Sequence, residues 1–523
     1  MFALGICYLM GWAMAAADGP AKQRAEWPPH PDRVFMALSA AWFETGQDEA
    51  EGQSLHWLEG LKPPQIAASE ATHRMVVTSF VPINDNSTPI EKVPGKRTWK
   101  RHQNLEGLSI GRNRQPRSFP LAIPRNPVVH LIWPDELPEL YRTALMNLCN
   151  KVVSIGHSSS LVQMWLTESP PPPNLVPATG FAKYRLRIFG PGRLEYLETR
   201  CNRQAVIEWA DMYSRVQEAK GKEKKMLQLQ LQTTFPNGRP VSLRPEPGLW
   251  QGYSEPLPDS PATIPGSLFD PRMIILSLSG KKLSLPSTLK LTQALRDTLL
   301  KACPEPIPEW VSGHAPDGSR SSRPHLALLP LPFVGSPHAD GRLMGVALAV
   351  PQQIDPGETS PILEALLRDH HGMPRQIRLF DGQWLECSVE LDFRESLPWN
   401  LQPKTWTGPA RMWSTVTPVV LDRHFDGKDR WEKAAESLKD SCERIDLPRP
   451  VEVLLDPISM FEGVPKANEF PWITRKKDGG RLHHSHAVIV FEQEIRGPVV
   501  IGAGRFRGYG LCRPLDQGGQ GHA

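Results

Sequence analysis

A continuous apolar run from Phe2 to Met10 predicts a strand buried on both faces. After a loop spanning Ala16 to His30, apolar residues recur at helical spacing from Asp32 to Trp42, with Pro31 and Asp32 as the start signal. A second short helix follows at Leu55 to Leu61. Strands are predicted at Arg74 to Val81, Pro127 to Trp133 and Leu161 to Thr167, and a helix at Glu136 to Lys151. Strand and helix alternate without the long βαβ rhythm of a doubly wound sheet. The expectation is therefore an α+β fold with helices packed on one face of antiparallel sheets.

Pro170 to Pro173 predicts a stiff surface connection. Ile207 to Leu231 reads as a Lys-rich helix, and Pro236 to Pro271 is dense in proline and glycine. The main boundary falls there: a first domain over 1–235, a linker over 236–270 and a second domain over 271–523. In the second domain the pattern predicts strands at Met273 to Ser279, His325 to Val334, Arg342 to Ala349, Gln376 to Phe380 and Trp384 to Leu391, with helices at Thr288 to Ala302 and Pro361 to Arg368. Further strands at Trp413 to Leu421, Val451 to Leu455, Ala487 to Ile495 and Val499 to Ile501 surround a helix at Asp429 to Ile445. Twice the order approximates strand, helix, strand, strand, which predicts tandem ferredoxin-like (RRM-like) modules.

At 523 residues, 40% of them apolar and 22% charged, the chain has material for two or three soluble domains. Its 54 prolines favour short strands and ordered loops over long helices. The net charge of +4 is too small to mark a nucleic-acid binder by itself. Its distribution says more: between Gly95 and Arg125 stand eight Lys or Arg residues and one acid, Glu106. Arg112, Arg114 and Arg117 alternate there, which would set several guanidiniums along one phosphate backbone, with Trp99 and Phe119 as flanking stacking partners. Seven scattered cysteines with no C-x-x-C pair fit reduced thiols in a cytoplasm. No Lys or Arg precedes the first apolar run, as a secretory signal would require, and no other apolar stretch is long enough to span a bilayer.

The segment Gly502-Ala503-Gly504-Arg505-Phe506-Arg507-Gly508-Tyr509-Gly510 combines glycines that let a backbone approach phosphate, arginines that neutralise it and aromatics that stack on bases. It lacks the Gly-Lys-Ser/Thr of a P-loop and opens no long helix. Gly156 to Ser160 partly matches a serine-hydrolase elbow, but lies between a helix and a strand in the wrong order and lacks the closing glycine, so it reads as a turn. Lys220 to Lys225 could grip phosphates, but such a run is more often a solvated helix face. His483, His484 and His486 have no cysteine or acid at a useful spacing, so no metal site and no cofactor are expected.

This glycine-rich segment near the C-terminus resembles that of the RAMP superfamily of CRISPR-associated RNA-binding proteins. Glu26 to Pro31, Trp57-Leu58-Glu59 before Pro63-Pro64, Arg112 to Pro120, Pro324-His325-Leu326, His338 to Arg342 and Trp413 to Pro418 narrow the resemblance. They are similar to the fused subunit of type I CRISPR systems, subtype G (formerly U), which joins a Cas-five-like half to a Cas-six-like half. The resemblance implies that 1–235 holds the 5' handle of a guide RNA, and that 271–523 binds and cleaves the repeat RNA. Cleavage would be metal-independent, with a ribose 2'-OH attacking the neighbouring phosphate to leave a 2',3'-cyclic phosphate.

Such a reaction needs a base, an acid and cations. The candidates, in order, are His338, His486, His325 and His314, with Asp340 and Arg342 as orienting acid and phosphate cation beside His338. Expected RNA contacts are Arg112, Arg114, Arg117, Gly502, Gly504, Arg505, Arg507, Gly508 and Gly510. The implied partners are CRISPR RNA, the backbone and large subunits of a type I effector complex and, through that complex, target DNA, with no membrane. The alternative is a guide-RNA-binding scaffold that does not cut.

Overall fold

The computed structural model describes all residues except 18–23, 83–89, 93–98, 102–113, 201–202, 237–247, 257–263, 322, 370–371, 381–384, 395, 475–478 and 516–523. The chain forms two compact units, one of 1–178 with 184–256, the other of 179–183 with 257–523. It is α+β throughout, with helices against antiparallel sheets.

In the first unit Phe2–Tyr8 lies inside a four-stranded sheet, in the order Val162–Thr167, Phe2–Tyr8, Val128–Trp133, Gln65–Ala68. Its residues alternate between faces, as strand geometry requires. Phe2, Leu4, Ile6 and Tyr8 pack on Val34, Phe35 and Leu38 of helix Pro31–Glu44 and on Leu145 and Leu148 of helix Glu139–Lys151. On the other face the Trp165 ring lies against Gly5, where a Cβ would collide with it. The strand order is that of a ferredoxin-like module, with helices Pro31–Glu44 and Glu49–Glu59 in the first crossover and Glu139–Lys151 in the second. The pattern did not show this, because hairpins fill the space between the second and third strands. Ala71–His73 pairs with Ala122–Pro124, and Ser79–Pro82 with Arg114–Arg117.

The expected strand at Arg74 to Val81 is thus confined to its end. Met75, Val77 and Phe80 are exposed, so that apolar run is not core. The expected helix at Ile207 to Leu231 is two helices, Arg203–Glu218 and Gly221–Thr234, broken where Gly221 takes φ +62°. Within the segment expected to be linker, Leu249–Ser254 forms a strand paired with Tyr184–Ile188.

Buried charge ties this unit together. Arg193 donates from Nε to Asp32 Oδ1 at 2.8 Å and from Nη2 to Oδ2 at 2.9 Å, and the Gly248 N–H reaches the same carboxylate at 3.1 Å. Burial alone would raise the pKa of Glu26, but His30 and Arg33 outweigh it and hold the carboxyl down at about 2.

The second unit contains two further modules. In the first, the sheet order is Ala327–Pro332, Leu343–Ala349, Ile274–Gly280, Glu386–Leu391, Ile377–Phe380, with helices Thr288–Ala302 and Pro356–Leu367 in the crossovers. The order is ferredoxin-like, extended by one edge strand. In the second, Glu452–Asp456 and Val419–Val420 pair with His484–Ile495, which pairs with Ala410–Thr415, which pairs with Cys512–Pro514. Helix Arg430–Glu443 fills the first crossover, but the second holds no helix longer than the single 3-10 turn Arg505–Arg507. The expected strand Trp413 to Leu421 is split because Pro418 cannot donate to a ladder. Val499 to Ile501 is fully buried yet makes only an isolated bridge, Val500 to Leu511.

An Asp32→Ala substitution removes the buried carboxylate that Arg193 and the Gly248 N–H share and is expected to cost about 3–5 kcal/mol. Urea unfolding followed by tryptophan fluorescence should show a lowered midpoint, whereas Asp211→Ala, which removes only the exposed pair to Arg215, should leave it in place.

Candidate functional site

Between helix Thr288–Ala302 and strand Ala327–Pro332 the chain makes the short helix Glu309–Ser312, which ends at Gly313 with φ +67°. That left-handed turn suits glycine. The chain then loops out through His314 and returns, held where the Ser321 N–H meets the Gly313 carbonyl at 3.0 Å and the Leu326 N–H meets the Trp310 carbonyl at 2.7 Å. The return lays the imidazole of His325 against Gly313, where any Cβ would stand 2.9 Å from Cδ2 and Nε2. Phe506 stacks on His325, ring centroids 3.6 Å apart at 28°.

Phe506 belongs to the glycine-rich segment of the second module, which is fastened to the first. Thr292 of helix Thr288–Ala302 donates to the Arg507 carbonyl at 3.0 Å, and the buried Thr417 hydroxyl donates to the Gly508 carbonyl at 2.9 Å. A Cβ on Gly508 would come within 2.9 Å of Pro330 Cδ and Thr288 Cγ2. Glycine there permits contact between the modules.

The electrostatics around His325 are one-sided. Burial is the main cause that lowers its pKa to about 4. Arg296 pushes the same way, the Arg323 carbonyl pulls back upward, and Arg505 and His314 add smaller downward pushes. Its Nδ1 is buried without a hydrogen bond of good geometry. Arg296 donates to the Ser312 carbonyl, and its pKa is lowered by burial and by Arg507, against the upward pull of Asp297. Arg505 is lowered by burial and then by Arg444. It donates to the Gly502 carbonyl at 3.3 Å and stacks over Phe506 at 4.7 Å, with its Nε buried and unpaired. A neutral imidazole amid arginines can hold an anion and exchange a proton with it.

The other sequence candidates fall elsewhere. His338 is exposed in the turn after the second strand of its module, and Asp340 pairs with Arg342 at 2.8 Å instead of orienting it. Arg342 in turn lies over Phe333 at 4.7 Å.

His486 is 1% exposed, with Nδ1 3.0 Å from Thr415 Oγ1 and Nε2 3.1 Å from the Pro465 carbonyl. Both its nitrogens are occupied in the core. His314 is exposed, its Nδ1 3.0 Å from the Ser312 carbonyl. Tyr509 cannot stack on a base, because it is fully buried and donates to the Pro471 carbonyl at 2.9 Å.

Gly502, Gly508 and Gly510 take positive φ and are buried, and Gly504 is buried too, so these glycines close-pack the chain on the core. Of the basic segment, Arg112 lies outside the described residues, Arg114 is on a strand and Arg117 is exposed. Sequence reasoning missed Arg296, which carries no signal beyond its place in an amphipathic helix. It also missed Gly313, whose need for positive φ shows only in the fold.

A family model described as CRISPR-associated protein, GSU0054 family, matches residues 2–169 and 276–514. The chain belongs to this CRISPR-associated family. The match omits 170–275, the segment with the two exposed helices and the strand Leu249–Ser254. No curated protein matches the chain. Solved structures similar to it include a crystal structure of Cas6b, at 12% identity and a TM-score of 0.27 over 46% of this chain and 99% of that one. A Cas6 product complex is similar at 18% identity and a TM-score of 0.26, over 46% of this chain and 99% of that one. No helix among the described residues is long and apolar enough to cross a membrane.

Burial also holds His486 near a pKa of about 4. An unfolded histidine titrates near 6.5, so between about pH 6.5 and 4 the unfolded chain takes up a proton that the folded one refuses. Stability from this group is full above that window and is lost as pH falls through it, by on the order of 3 kcal/mol. Urea midpoints measured across the window should fall less steeply in His486→Gln than in the wild type.

Proposed function

We propose that this CRISPR-associated chain binds CRISPR repeat RNA, cuts it at His325 and stays bound to the guide within an effector complex. On this reading the unit that carries 257–523 processes the repeat, and the unit that carries 1–178 and 184–256 holds the 5' handle. The observation that carries it is the His325 imidazole packed between Gly313 and Phe506, with Arg296, Arg505 and His314 acting on it.

The reaction is a transesterification. His325 takes the proton of a ribose 2'-OH as that oxygen attacks the adjacent phosphorus. The bond from phosphorus to the 5'-oxygen breaks, and His314 returns a proton to the leaving oxygen through Nε2, its Nδ1 being held by Ser312. Arg505, Arg507 and Arg296 offset the charge that gathers on the phosphorane. The products are a 2',3'-cyclic phosphate and a free 5'-OH, and no metal takes part in any step.

The test is purified protein in EDTA with labelled repeat RNA, beside a substrate carrying one 2'-deoxy at the cut site. Cleavage should persist in EDTA and stop with the deoxy substrate. His325→Ala should slow single-turnover cleavage by about 10²–10⁴-fold, while His338→Ala stays near wild type. Tight binding with no cleavage by the wild type would make the chain a guide-RNA scaffold.

A further inference from the structure

We infer that the glycine-rich segment acts through Phe506 as a clamp on His325, making Phe506 a positioning residue that fixes and dries the imidazole. The inference rests on the role proposed above for His325 and gives the segment a task other than holding phosphate.

Both faces of the imidazole are covered, one by the Gly313 backbone and the other by the Phe506 ring at 3.6 Å, so a nucleobase has no face to stack on. Only the ring edge is left for chemistry. Phe506 is itself braced, with Arg505 over it at 4.7 Å and Phe269 edge-on at 6.3 Å. The turn that bears it is pinned at Arg507 and Gly508 by Thr292 and Thr417. The residue that reacts thus belongs to the first module of its unit, and the residue that aims it belongs to the second.

The charged and titratable groups that act on the ring are Arg296 from the helix before it, His314 from the loop and Arg505 from the clamp itself, all disfavouring its protonation. The clamp adds exclusion of water, which disfavours the charged form further. Removing the phenyl ring should let water in and let the imidazole both tilt and protonate.

The experiment follows the His325 imidazole by NMR in full-length protein labelled with ¹⁵N-histidine, using His325→Gln to identify the signal, and measures repeat-RNA affinity and single-turnover cleavage in parallel. In the wild type and Phe506→Tyr, His325 should stay neutral to below about pH 5. In Phe506→Leu its midpoint should rise by at least about one unit toward the ordinary value near 6.5. Cleavage by Phe506→Leu should slow by about 10–100-fold with RNA affinity within about twofold, since the loss is of aim and not of binding. A midpoint unmoved in Phe506→Leu, or affinity that falls in step with rate, overturns the clamp. If the wild type never cuts repeat RNA, a midpoint that still rises in Phe506→Leu supports the clamp and removes the proposed reaction instead.

Discussion

The second unit depends on the close approach of residues 502–510 to the neighbouring module. Thr292 and Thr417 satisfy two carbonyls of this segment, and Gly508 lets the backbone lie where a side chain would collide with Pro330 and Thr288. A second crossover helix, as in the other modules, would present a convex cylinder about 10 Å across and hold the modules apart. One 3-10 turn instead brings two modules into contact and places Phe506 on His325. Packing, buried cations and the candidate chemistry share this contact.

Much of the fold was legible because its signals were local. Thr288–Ala302 follows from apolar spacing alone, and its bounds match those of the expected helix. Phe2–Tyr8, Val128–Trp133 and Val162–Thr167 follow from apolar runs that the sheet buries. The errors came where burial and ladder pairing part company. Val499 to Ile501 is wholly buried but lies in irregular chain, and Met75 to Val81 is apolar but mostly exposed. A hydrophobic pattern reports burial, and it reports pairing only when a neighbouring strand is in register.

The site was half legible. The glycine-rich segment, with Arg505 and Arg507, was recognisable as unusual, but not which way each residue would face. Tyr509 turned inward and Phe506 turned toward His325. His338 stands first by sequence with Asp340 as orienting acid and Arg342 as phosphate cation, yet these two satisfy each other two residues apart. The features that single out His325 are long-range: Arg296 from a helix 29 residues earlier and Arg505 from 180 residues later.

The first unit's central strand raises a question of folding kinetics. Ala3 pairs with Thr167 on one side and with Ile132 on the other, so neither ladder is local. Both loops must close before Phe2–Tyr8 is covered, and the entropy of closure comes before any reward in contacts. A unit wired this way has high contact order and should fold slowly, with an uncovered apolar strand available to other chains in the meantime. Its yield on refolding will therefore depend on protein concentration more than on the stability of the finished sheet.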